Sequence, residues 1–113
     1  MHDVILLPIA DEDIFRNASW WAEHHSLQQA LSWESSVRSQ LGDIAFQPES
    51  RPFSTENPMF AYDIRDALVG SSRRRTYRAV FTIHRHKICI LRVLRGAQDT
   101  ITPNDVPFNP AEH

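Results

Sequence analysis

Apolar residues follow three rhythms along this chain. Val4-Ile5-Leu6-Leu7 is an unbroken run closed by Pro8, the pattern of a buried first strand. Ala10, Ile14, Ala18, Trp21 and His25 then recur at helical spacing and mark one face. Asp11, Glu12 and Asp13 crowd the start of that stretch, where negative charge complements the helix dipole, and His24-His25 close it. Ser26-Leu27-Gln28-Gln29 is a capping box, with Ser26 as N-cap and Gln29 three residues on. Leu27, Ala30, Leu31, Val37 and Leu41 form the next apolar stripe, and Gly42 sits where a terminating glycine belongs. The pattern predicts two helices joined at His25-Ser26 as a helical hairpin.

Residues 45–61 hold Pro48, Pro52 and Pro58 without periodicity and read as an irregular connection. Tyr62 to Val69 reads as a second strand, ended by Gly70-Ser71-Ser72. In the third rhythm, Tyr77, Ala79, Phe81 and Ile83 alternate with Thr76, Arg78, Val80 and Thr82, the period of a strand. His84-Arg85-His86-Lys87 is a polar break, read as a four-residue hairpin loop, and Ile88 to Leu94 is the strand after it. Pro103, Pro107 and Pro110 punctuate a tail expected to be extended and weakly ordered.

The order β-αα-βββ predicts an α+β domain over residues 1–101, with residues 102–113 as a C-terminal tail. A helical hairpin would pack on one face of a small, mainly antiparallel sheet and leave the other face open. If Tyr77, Ala79, Phe81 and Ile83 face the helices, Arg78 lies on the open side beside Arg73, Arg74 and Arg75. Arg92 is either on that side or half buried with a partner.

Composition narrows the class. With 113 residues, 42% apolar and 23% charged, the chain suits one soluble domain with a modest core. Its apolar runs fall far short of the ~20 residues that cross a bilayer, and its start has neither the basic nor the apolar region of a secretory signal. The single cysteine, Cys89, allows no internal disulfide and sits in an apolar run, as a small buried hydrophobe would. A cytoplasmic protein is expected, with no membrane partner.

Charge changes the picture more. No acidic residue lies between Asp66 and Asp99, while Arg73, Arg74, Arg75, Arg78, Arg85, Lys87, Arg92 and Arg95 do. The balance is −7 over residues 1–66, +8 over 67–98 and −3 over 99–113, which the overall −2 conceals. Such a segment attracts phosphate or an acidic protein surface.

Other candidate chemistry is thinner. His84 and His86 form an H-x-H on a loop with no third ligand near in sequence, so a solvated turn outweighs a metal site. The His24-His25 pair reads as a helix end. Spacing supports no Ser/His/Asp or Cys/His nucleophile, and neither a metal nor a cofactor is expected. Trp21 reads as core; for Trp20 and Trp33 core filling or helix–helix packing is the default, with partial exposure that could seat a partner as the alternative.

The element order, with Tyr77-Arg78-Ala79-Val80-Phe81 and Ile90-Leu91-Arg92-Val93-Leu94-Arg95-Gly96-Ala97-Gln98-Asp99, resembles the RelE/ParE superfamily of type II toxin–antitoxin toxins, also called plasmid stabilisation proteins. The resemblance spans roughly residues 4–100. Its most specific pieces are the YRxxF strand and the VLRGAQD ending, which is similar to the VLHGxRD ending of ParE-like members. Ile64-Arg65-Asp66 resembles the arginine-bearing second strand of that group. The resemblance implies a growth-regulating toxin wrapped by the C-terminal segment of a cognate antitoxin.

The superfamily has two branches, and fold does not choose between them. RelE-like members are ribosome-dependent mRNA endonucleases, in which cations hold the scissile phosphate and a Tyr or His near the end of the last strand moves protons. On that branch Arg78 and Arg92 would clamp the phosphate and His84 or His86 would handle a proton. The only tyrosines here are Tyr62 and Tyr77, and no Tyr or His follows the last strand before His113. ParE-like members lack the nuclease set and poison DNA gyrase. Arg95 stands where many of them carry His, and Gln98 where many carry Arg. The resemblance therefore implies a ParE-like inhibitor of DNA gyrase without catalytic residues. Arg73, Arg74, Arg75, Arg78, Arg92 and Arg95 are its expected electrostatic contacts. The alternatives are the mRNA endonuclease and an inactive member that retains only antitoxin binding.

Overall fold

The computed structural model describes residues 2–71 and 73–112; Met1, Ser72 and His113 lie outside the described residues. Strand β1 (Asp3–Leu6) leads into helix α1 (Pro8–His24), with Pro8 at the first helical position, where its missing N–H costs nothing. Helix α2 (Leu27–Asp43) starts at Ser26, whose hydroxyl accepts the Gln29 N–H at 3.1 Å as the capping box predicts. Gly42 does not terminate α2: the helix runs on to Asp43 with Ile44 still helical, and Gly42 lies in its last turn. Strands β2 (Arg65–Val69), β3 (Tyr77–His84) and β4 (Lys87–Leu94) follow. β2 is three residues shorter than the sequence suggests.

The sheet order is β1-β4-β3-β2, with β1 parallel to β4 and the other pairs antiparallel. The hairpin loop is tighter than expected. His84 pairs with Lys87, leaving Arg85 and His86 as a two-residue turn with φ of 51° and 64°. Both residues are left-handed, the geometry of a primed turn, which usually recruits Asn-Gly.

The helical hairpin covers one sheet face. Ala10, Ile14, Ala18, Trp33, Val37 and Leu41 pack on Ala67, Val69, Tyr77, Ala79, Phe81, Ile88, Ile90 and Val93. Leu27 and Leu31, expected in this core, are 67% and 58% exposed. They sit one helical face away, on the same side as Arg38, which reaches Asp11 of α1 at 2.7 Å.

The opposite sheet face is not open. Ile64, Val80, Cys89, Leu91 and Leu94 form a second core with Ile101, Val106 and Phe108. The tail is therefore packed, not weakly ordered. Its turn at Pro103–Asp105 is held by a reciprocal box between Thr102 and Asp105. A bulge makes the two cores possible. Phe81 pairs with Ile90 but Val80 with Arg92, so Leu91 is an extra residue in β4. Beyond it the alternation changes phase: Val93 joins the helical side and Leu94 the tail side.

Candidate functional site

One buried and one half-buried arginine, Arg78 and Arg92, set the frame of the sheet. Arg78 is on the face away from the helices, as alternation predicts, but it is 6% exposed and not beside Arg73–Arg75 on an open surface. Its guanidinium forms a bidentate pair with Glu56, reaches Asp66 at 3.3 Å, and donates to the carbonyls of Gly96 (3.1 Å) and Asp99 (2.8 Å). Arg78 holds the Glu56 carboxyl down to about 2, and Glu56 in turn raises the Arg78 pKa. The irregular connection is thus anchored through Glu56, a residue to which its sequence context gives no role.

Arg92 is half buried with a partner, the second of the two expected placements. Asp13 accepts its Nε at 2.6 Å and an NH2 at 2.9 Å, and its remaining NH1 donates to the Asp105 carbonyl at 3.1 Å. Asp13 also accepts the Val93 N–H at 3.0 Å. β1 pairs with β4 no further than Ile90, so the Asp13 carboxylate serves the ladder where that strand has ended. The hydrogen bonds that Arg92 donates to Asp13 raise its pKa. Asp13 is therefore a buried tie between α1 and β4, not an exposed charge at a helix start.

The remaining arginines of the basic segment stay in solvent. Gln40 of α2 holds the exit from β2: its Oε1 accepts the Gly70 N–H at 2.8 Å and its Nε2 donates to the Gly70 carbonyl at 3.1 Å. Gly70 has φ of 149°, and a Cβ there would meet the Arg74 carbonyl at 2.6 Å. The Ser71 hydroxyl accepts the Arg74 N–H at 3.1 Å, closing a small turn that exposes Arg73, Arg74 and Arg75. Across from it, Gly96 has φ of 52° and lies so near the Thr76 carbonyl that a Cβ would meet it at 2.6 Å. That contact brings Arg95 and Gln98 to the same end of the sheet.

Between these loops and the helix ends lies an aromatic groove. The Trp21 indole N–H donates to the Tyr77 hydroxyl at 3.2 Å, and the Tyr77 ring meets Trp33 edge-on at 4.9 Å. Trp20 stacks on His24 at 4.5 Å, and the Arg95 guanidinium stands 5.7 Å from the Trp20 ring centre. Two depressions share Trp21, Thr76 and Tyr77 as a common wall. One, of about 190 Å³, adds Trp20, Arg95 and Gln98; the other, of about 270 Å³, adds Trp33, Ser71 and Arg74. Trp33 is buried, as its default reading of core filling has it, while Trp20 is partly exposed. Sequence reasoning placed the arginines of this groove and two of its tryptophans separately; nothing in the linear pattern joined them across more than fifty residues.

His84 and His86 lie at the far end of β3. His84 is half buried with its ring edge-on to Phe108, and His86 is in the exposed turn. Six residues separate Arg78 from His84 along one strand, roughly 20 Å at ~3.3 Å per residue. The arrangement brings Arg74 and Arg95 to one groove and keeps Arg78, Arg92, His84 and His86 out of it. Burial pushes the Cys89 thiol up, consistent with an inert core residue. Among the described residues, no cluster of three or more His, Cys, Asp or Glu is placed to hold a metal ion.

No protein-family model matches the chain, and no curated protein matches it. A solved structure of the chromosomal ParDE TA system from P. aeruginosa is similar, with a TM-score of 0.71 and 18% sequence identity, over 85% of this chain and 97% of that one. Two helices on one face of a four-stranded mixed sheet, in this order, give the chain a RelE/ParE-like fold.

Proposed function

We propose that this protein is the toxin of a type II toxin–antitoxin pair, that it acts by binding DNA gyrase, and that a cognate antitoxin neutralises it in the cytoplasm. One observation carries the choice of a binding mechanism. Arg78 and Arg92, the cations a nuclease would aim at a phosphate, are engaged by Glu56 and Asp13, whereas Arg73, Arg74, Arg75 and Arg95 are exposed. A guanidinium already neutralised by a buried carboxylate adds little to a pentacoordinate phosphate. His84 lies roughly 20 Å from Arg78 along β3, too far to act on a phosphate that Arg78 would hold. The likeness to the ParDE structure supports the toxin reading through the fold.

The test is induced expression without antitoxin, with growth, the DNA-damage response and bulk protein synthesis followed in one culture. Arrest with a damage response and continuing translation is expected. Immediate loss of translation would move the assignment to ribosomal mRNA cleavage, and unimpaired growth would leave an inactive antitoxin binder. Joint Arg73→Ala, Arg74→Ala, Arg75→Ala and Arg95→Ala substitution is expected to abolish arrest. Retained toxicity in that variant would refute the exposed arginines as the target surface.

A further inference from the structure

We infer that Gln40 is a positioning residue for target binding: from helix α2 it presets the turn that carries Arg73, Arg74 and Arg75. This rests on the reading of those arginines as the surface that meets gyrase. It concerns how tightly they bind, not what they bind.

Three hydrogen bonds fix the Gln40 amide. The Gly70 N–H donates to Oε1 at 2.8 Å, and Nε2 donates to the Gly70 carbonyl at 3.1 Å and to the Ser36 hydroxyl at 3.0 Å. The Gly70 N–H requires an acceptor and its carbonyl a donor, so the amide has one orientation only. Gln40 and Gly70 are both buried, and without this side chain both backbone groups of Gly70 would lose their partner away from water. Within a sheet a neighbouring strand meets such a pair. Here β2 has ended at Val69, and a side chain from α2 takes over.

The arginine turn is built directly on Gly70. The Arg75 Cα and the Thr76 N lie 3.1 and 3.3 Å from the point that a Gly70 Cβ would occupy, nearly as close as the Arg74 carbonyl. The Ser71 hydroxyl, which accepts the Arg74 N–H, also donates to the Arg74 carbonyl at 3.2 Å. Residues 70, 71 and 74 thus hold one another, and Gln40 ties them to the helical layer while the side chains of Arg73, Arg74 and Arg75 stay exposed. Ordering backbone costs conformational entropy, and a turn fixed beforehand spares a partner that cost when it engages the three cations. A purely structural Gln40 would affect stability alone; a positioning Gln40 affects affinity in a chain that is still folded.

The experiment uses the full chain, with purified DNA gyrase as the probe and circular dichroism to confirm folding. Gln40→Met keeps the length of the side chain and removes all three hydrogen bonds. It is expected to weaken gyrase binding at least about tenfold, and to speed amide exchange at Gly70 and Arg74 without speeding it along β4. Salt separates this effect from a loss of charge. Gln40→Met is expected to keep the salt dependence of the parent, whereas Arg74→Ala reduces it. Gly70→Ala drives a Cβ into the Arg74 carbonyl with Gln40 intact, and is expected to weaken binding to a similar extent. Two controls hold stability apart from positioning: Phe108→Ala loosens the opposite face of the sheet, and Ser36→Ala spares both bonds to Gly70. Each is expected to change affinity less than about twofold. Folded Gln40→Met and Gly70→Ala proteins that bind gyrase as tightly as the parent would overturn the inference and leave the toxin reading standing. A parent chain that does not bind gyrase would overturn both.

Discussion

Asp13 meets Arg92 through both carboxylate oxygens, at 2.6 and 2.9 Å, and is wholly shielded from solvent. The pair ties the first helix to the fourth strand across 79 positions of sequence. Removing one member of such a pair strands the other charge in a poor solvent. Asp13→Ala is therefore expected to cost about 3–5 kcal/mol, enough to unfold much of a domain of ordinary stability. Joint Asp13→Leu and Arg92→Met substitution is expected to recover most of that loss, measured by urea denaturation.

Glu56 makes the fold acid-sensitive. Its carboxyl is held by Arg78 from 4.5 down to about 2, so the folded state binds that proton less readily than the unfolded chain. The resulting stability is present above pH 4.5 and is lost as the pH falls from there towards 2. At 1.36 kcal/mol per unit the contribution is about 3 kcal/mol. Melting temperatures from pH 6 to pH 2 check it: Glu56→Gln is expected to be less stable at pH 6 and to lose less on acidification than the parent.

The Arg85-His86 turn offers a gain. Two side-chain-bearing residues occupy left-handed backbone there, where Asn-Gly is preferred. Arg85→Asn with His86→Gly is expected to stabilise the protein by about 1 kcal/mol, because strain is relieved without loss of a core contact. Urea midpoints measure it, and toxicity is expected to be unchanged.

Phe108 tests the tail. Its burial over Val80, Cys89 and Leu91 means that Phe108→Ala opens the second core and is expected to cost about 3 kcal/mol. Denaturation midpoints lower by less than a third of that would mean that the tail packs without stabilising.

The elements were readable because their signals are local. The capping box at Ser26, the alternation from Thr76 to Ile83 and the order of helices and strands each rest on neighbours within a few positions. The covered second face was not readable, because Val106 and Phe108 are isolated apolar residues among prolines, with no period to announce them. Alternation gave the side on which Arg78 lies but not what lies over it. Asp13 and Glu56 were hidden for a related reason: an acid in an acidic run, or in an irregular loop, reveals its cation only when distant chain is brought to it. The groove joins Trp21, Trp33, Arg74 and Arg95 from four segments, and no linear spacing encodes that meeting.

The bulge at Leu91 bears on how this sequence can change over time. Deleting one residue there would restore an uninterrupted ladder between β3 and β4, which taken alone is the more regular sheet. Loss of Leu91 itself would leave Val93 opposite Ala79 and Leu94 opposite Arg78, each on its present face. What would go is a wholly buried side chain of the second core, between Val80 and Cys89 on the sheet and Phe108 of the tail. The irregularity is thus kept by the core it fills and not by the ladder it interrupts, so lineages can exchange one apolar side chain for another at this position more readily than they can lose it.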